Sequence, residues 1–167
     1  MRSRFLLIGT LVGGVLLTLL AWFTAMLPPH FRPFKDADAV VQTIRANTSG
    51  NDIYATPKGL FVSVALRPDL SNRLVSIGPH FAAQFIAELV VALCLSILLL
   101  ALPIQSAVRC AGLFALLGLA AGIEVHFPEW NWTGFPTIYP LAGTIYLAFS
   151  WFVGGLILGA LRRKYVK

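Results

Sequence analysis

The sequence predicts an all-α membrane protein: four transmembrane helices, with a small exported α/β segment of one short helix and a β-hairpin between the first and the second. Three observations predict this. Hydrophobic residues make up 57% of the 167 residues and charged residues 12%, and the mean hydropathy is +0.79, a balance outside the range of soluble globular proteins. Several uncharged runs are long enough to cross a bilayer. The basic residues, thirteen against seven acids for a formal charge of +6, sit mostly at the ends of those runs. There they read as topology signals and headgroup contacts, with the lipid bilayer as partner and no nucleic acid.

The first element occupies residues 1–27. Its 23 uncharged residues, 5–27, make roughly 35 Å of helix against a hydrocarbon core of about 30 Å. A cleaved signal peptide competes with this reading, since Arg2 and Arg4 resemble its basic start. The run exceeds the roughly 7 to 15 apolar residues of such a peptide, and Phe23 before Ala25 spoils the small-x-small cleavage pattern, so an uncleaved anchor is favoured.

Residues 28–80 form the one sizeable exported segment, 53 residues that contain no cysteine, too few to fold alone without such staples. Asp36 and Asp38 precede an apolar face of Ala39, Val40 and Ile44, which predicts a short helix with acids at its amino end. Ser49 to Asp52 break it. Residues 53–56 and 60–66 then flank the turn signal Pro57, Lys58 and Gly59, and predict a hairpin.

The second span covers 81–103, interrupted by Gln84, Glu88 and Ser96 and closed by Pro103; a short turn follows at 104–109. The third span, 110–125, has only 14 uncharged residues between Arg109 and Glu124, a length that also fits a re-entrant segment. Charge bias decides for a span. With it, Arg2 and Arg4, the turn with Arg109, and the tail 162–167 with Arg162, Arg163, Lys164 and Lys167 share one side, free of acids and therefore cytoplasmic. An exported aromatic loop, 126–137, leads to the fourth span, 138–161. Cys94 and Cys110 are not placed for an exported disulfide. The sequons at Asn47 and Asn131 fall on the exported side and read as chance matches in a bacterium.

The polar residues inside the spans are the functional candidates. His80, Gln84 and Glu88 recur every four residues and form one stripe of the second helix, continued by Ala92 and Ser96. Glu88 lies roughly 10 Å below the start of that span, where an acid is costly unless neutral, paired or beside water, so the stripe is expected to face protein. One reading makes Glu88 a register-fixing hydrogen-bonding group. Another makes it part of a proton or cation path. A third is a metal or pigment site, because Glu124, His126 and Glu129 share a face with His30 and His80 and offer imidazole and carboxylate ligands. No metal or cofactor motif supports that third reading.

Gly9 and Gly13 make a GxxxG in the first span and Gly155 and Gly159 another in the fourth, at matching depth. The first helix is therefore expected to pack on the fourth, so that Gly13→Ile or Gly155→Ile forces the two apart and Gly14→Ala is milder. Gly118 and Gly122 form a third pair. Trp130, Asn131, Trp132, Gly134, Phe135 and Pro136 make an aromatic turn, read either as an interfacial belt or, through Trp130, Trp132 and Phe135, as a partner surface. The sequence holds no P-loop, dinucleotide fingerprint, GxSxG or Cys/His nucleophile arrangement, so no enzyme is expected.

Several features taken together resemble an uncharacterised group of small bacterial four-span inner-membrane proteins. They are Gly13, Gly14 and Trp22 in the first helix, Asp38, Ala39 and Val40 in the exported segment, and Trp130, Asn131, Trp132, Gly134, Phe135 and Pro136 before the last helix. The likeness covers most of the chain loosely. It implies a bacterial inner-membrane location, and it transfers neither an activity nor site residues. The expected function is a non-catalytic accessory or scaffolding subunit bound to other membrane-protein subunits. The alternatives are a small proton- or cation-coupled transport protein using Glu88, and an envelope sensor using the exported loop.

Overall fold

A computed structural model describes residues 2–25, 34–50, 52–57, 61–64 and 73–166. The elements are α1 (Arg2–Ala25), α2 (Ala37–Asn47), β1 (Asp52–Ala55), β2 (Phe61–Val64), α3 (Arg73–Ala101), α4 (Ala107–Thr133) and α5 (Ile138–Tyr165). Among the described residues four helices, α1, α3, α4 and α5, are long and apolar enough to cross a membrane. The chain divides into two compact units, one of Met1–Pro29 with His80–Lys167 and one of His30–Pro79.

In the smaller unit Asp36 caps α2, its carboxylate accepting from the Ala39 N–H at 2.9 Å. Asp38 in the first turn and Arg45 in the last complement the helix dipole. The helix ends at Asn47 with Thr48 as its cap, and the chain then turns at Gly50, whose φ of 147° is a conformation open to glycine. Tyr54 on β1 fastens this turn. Its hydroxyl donates to the Gly50 carbonyl at 2.8 Å and accepts from the Gly50 N–H at 3.1 Å. β1 and β2 pair antiparallel, with Asp52 opposite Val64 and Ala55 opposite Phe61. The expected helix and hairpin are therefore both present; Lys58 and Gly59 of the turn lie outside the described residues.

In the larger unit α1 and α3 run antiparallel. Gly9 faces Ser96, Gly13 faces Ala92, and Trp22 meets Phe81 edge to face at 5.1 Å between ring centroids. α4 and α5 are antiparallel too, Ala107 lying against Gly159, Ala111 against Gly155 and Thr144 against Gly122. α1 reaches α5 through Leu158, beside Gly9 and Gly13, and through Leu17, beside Gly154. This alternation gathers the start of α1, the α3–α4 turn and the end of α5 at one end of the bundle, the basic end. The end of α4 and the start of α5 form the aromatic end. The core of Phe5, Leu95, Leu99, Cys110, Phe114 and Leu158 draws on all four helices and lies toward the basic end.

Several boundaries differ from the sequence reading. α3 begins at Arg73, although its part long and apolar enough to cross a membrane, Phe81–Ala101, starts where the sequence places the span; Ser71 and Asn72 are residue types that favour helix starts, a signal independent of hydropathy. α4 has 27 residues, roughly 40 Å of helix, so no re-entrant turn exists in the third run. It starts at Ala107, where the Ser106 hydroxyl accepts from the Arg109 N–H at 3.4 Å. It continues through Pro128 to Thr133, and so the expected aromatic loop 126–137 is mostly helix. Its stop is Gly134, left-handed at φ 73°, with its N–H and that of Phe135 turned back to the Glu129 carbonyl. Only residues 134–137 remain to connect α4 to α5. The basic tail is also helical as far as Tyr165, which places Arg162, Arg163 and Lys164 in the last turn of α5, next to the negative end of its dipole.

Candidate functional site

The polar stripe of α3 begins at the bundle surface and runs into a helix contact. The Gln84 side-chain amide donates to a Glu88 carboxylate oxygen at 2.7 Å, an i, i+4 pair on one helix face. Gln84 is exposed and Glu88 half-buried, so this part of the stripe is less enclosed than the periodicity suggests. One and two turns further on, Ala92 and Ser96 are 0% exposed, pressed against Gly13 and Gly9 of α1. Among the described residues the Ser96 hydroxyl has no hydrogen-bond partner. The side chain of His80, at the head of the stripe, lies outside the described residues.

The aromatic end has a second polar group. His126 Nδ1 and a Glu129 carboxylate oxygen are 2.8 Å apart, one helical turn from each other on α4. The imidazole ring also meets Tyr139 of α5 edge to face at 6.2 Å. It fits there because residue 143 is glycine: a Cβ at that position would stand 2.5 Å from His126 Nε2. Trp130 Nε1 donates to the Thr137 hydroxyl at 3.2 Å, tying α4 to the connection. Phe135 stacks on Tyr139 with centroids 5.0 Å apart, while Trp132 is 82% exposed. Of the metal-ligand candidates, Glu124 is exposed and His126 is engaged as described. His30 and the side chain of His80 lie outside the described residues. No three His, Cys, Asp or Glu side chains converge among the described residues.

The glycine pairs do not meet one another as expected. Gly9, Gly13 and Gly14 of α1 lie against Ser96, Ala92 and Leu89 of α3, and Gly155 and Gly159 of α5 lie against Ala111 and Ala107 of α4. Gly118 and Gly122 pack on Leu147 and Thr144 of the same α5. The α1–α5 contact is instead made by leucines seated on glycines. The GxxxG spacing marks a helix face fit for close approach, but it carries no information about which helix approaches.

The contact that sequence reading missed is at the basic end. Arg162 Nη2 donates to the Leu102 carbonyl at 3.0 Å and Nη1 to the Ile104 carbonyl. The last carbonyls of a helix have no partners within it, and Pro103 between these two residues has no N–H to offer. A guanidinium from the end of α5 supplies the donors and locks the α3–α4 turn to the tail. Read from sequence, Arg162 is one of a row of topology charges. No protein-family model, curated protein or solved structure matches the chain.

Proposed function

We propose that the chain is a non-catalytic accessory or scaffolding subunit of a larger bacterial inner-membrane assembly. Both termini are then cytoplasmic and residues 28–80 periplasmic. The single observation that carries this reading is the character of the aromatic end. Trp132 stands free on the last turn of α4, beside Trp130 and Phe135, which are braced by Thr137 and Tyr139. Rigid, partly exposed aromatic side chains of this kind serve as anchors in protein interfaces. The orientation is supported by the charge distribution: the stretches that form the basic end, around Arg2 and Arg4, Arg109, and Arg162 to Lys164, hold no acid.

Two experiments test it. A reporter active only in the cytoplasm should work after Lys167 and fail near Gly50; activity near Gly50 would reverse the orientation. Extraction in mild detergent should bring a stoichiometric partner, retained by Glu88→Gln and lost with Trp130→Ala and Trp132→Ala together. A second reading, a small proton- or cation-coupled transport protein, is favoured by the Gln84–Glu88 pair and the buried Ser96 hydroxyl below it. A protein that purifies alone and moves ions in liposomes only while Glu88 is present would establish that reading in place of the first.

A further inference from the structure

We infer that the cleft between the α3–α4 turn and the end of α5 binds the phosphate group of a phospholipid headgroup. The cleft is open, about 230 Å³ in volume, and lined by Gln105, Arg162, Arg163 and Val166. The inference rests on the four apolar helices crossing a bilayer, which brings the ends of α3, α4 and α5 to headgroup depth, and it is independent of the accessory role.

The argument starts from Arg162. A guanidinium carries five N–H donors in a planar fork, and two of them are taken by the carbonyls of Leu102 and Ile104. Those bonds hold the fork still. Each Nη keeps a second N–H beyond the one so bonded, and the buried Nε has no partner among the described residues, which leaves a pre-oriented cation with donors to spare. A phosphate is the ligand whose oxygens match this geometry, and a fixed fork loses little entropy on binding it. Arg163 brings a second positive charge and Gln105 an uncharged side-chain donor. Residues 89–123 and 130–167, which include the whole lining, contain neither Asp nor Glu.

The choice of a lipid over free phosphate follows from the remaining lining. Val166 gives the cleft an apolar wall, suited to the carbon backbone of a glycerolipid. Val108 and Leu161 then continue from this end, one exposed and one half-buried, along the helices that acyl chains would follow. An anionic headgroup such as phosphatidylglycerol is preferred to phosphatidylcholine, whose choline brings its own cation toward two arginines.

The test uses the full chain purified in mild detergent, with phosphatidylglycerol, phosphatidylcholine or inorganic phosphate added and the retained molecules counted by native mass spectrometry. One phosphatidylglycerol should be retained in preference to phosphatidylcholine. Arg163→Gln should weaken retention about fivefold, the worth of one basic residue at an anionic surface. Gln105→Ala should weaken it by a smaller factor. Arg2→Gln, which removes the same charge from the same end, should leave it unchanged. Arg163 and Gln105 are exposed, so these variants keep the Arg162 clamp and the fold. Equal effects of Arg2→Gln and Arg163→Gln, or equal retention of the two lipids, would overturn the site in favour of diffuse charge. Inorganic phosphate that binds as tightly as the lipid, with the same dependence on Arg163, would overturn the lipid as the source. Any partner that co-purifies should stay with Arg163→Gln, so failure here is distinct from failure of the accessory role.

Discussion

Where α4 and α5 meet, four glycines, Gly118, Gly122, Gly155 and Gly159, first meet backbone, whereas along α1 the first atoms met belong to side chains. A Cβ added to Gly155 would stand 2.7 Å from Ala111 Cα and 2.9 Å from the Cys110 carbonyl oxygen, and one added to Gly122 would stand 2.7 Å from Thr144 Cα. At Gly118 the nearest atom is the Leu147 carbonyl oxygen, at 2.6 Å. On α1 the first atoms met are Ser96 Oγ at 2.8 Å from Gly9 and Ala92 Cβ at 2.9 Å from Gly13. The sequence signature is the same in both seams, but the capacity to yield is not. The Ser96 hydroxyl can rotate away, while Ala92 Cβ, fixed to its Cα, and a helix backbone move only if the whole helix moves. The α4–α5 hairpin is thus the less forgiving half of the bundle, and its backbone-lined glycines are spread from Gly159 at the basic end to Gly122 toward the aromatic end.

The largest effect should come from breaking that seam. Gly155→Ala and Gly122→Ala should each destabilise the protein by about 2 to 3 kcal/mol, the upper range for overpacking a tight contact, read as a lower unfolding midpoint in detergent. The two sites lie at opposite ends of the hairpin and should add. A loss of less than about 0.5 kcal/mol at either would mean that α4 and α5 are not held as closely as described.

The α1 seam should give less. Gly9→Ala should cost about 1 kcal/mol or less, because the Ser96 hydroxyl can turn aside. Gly14 sharpens the comparison. Its added Cβ would meet Leu89 Cδ2 at 2.6 Å and also Leu89 Cα at 3.1 Å. Gly14→Ala should therefore exceed Gly9→Ala, since moving the leucine tip does not remove the backbone contact. The reverse order in unfolding measurements would show that side-chain relaxation alone governs this seam.

What was legible in the sequence follows from which signals are local. The four apolar helices, the Asp36 cap and the short hairpin depend on hydropathy, capping and turn chemistry within a few residues of each element. The length of α4 was also written locally, in Gly134 as its left-handed stop, but the aromatic residues around it read more strongly as a loop. A proline in a helix removes one hydrogen bond, and α4 runs through Pro128 as one helix with its neighbour α5 alongside. The pairing of seams and the Arg162 clamp were not legible. Each depends on contacts between residues far apart in sequence, the clamp on a separation of 58 to 60 positions. The Gln84–Glu88 pair was legible as a stripe, whereas its partial exposure depends on which face of α3 the other helices cover.

The smallest expected effect provides the internal control for the whole comparison. Gly112 lies on α4, one position beyond Ala111, which receives Gly155, and yet a Cβ there would meet nothing within 4 Å. Successive helix residues are about 100° apart around the axis, so Gly112 is turned off the seam that Ala111 enters. Its glycine is then needed neither for packing nor for a special backbone angle. Replacing it with alanine removes the helix penalty of glycine, which amounts to about 0.8 to 1 kcal/mol in soluble helices. Gly112→Ala should therefore leave the unfolding midpoint unchanged or raise it slightly, while Gly155→Ala, aimed at the adjacent residue, lowers it. If Gly112→Ala proved as damaging as Gly155→Ala, the losses would reflect glycine's general role in these helices and not close approach. The distinction between backbone-lined and side-chain-lined seams would then fail.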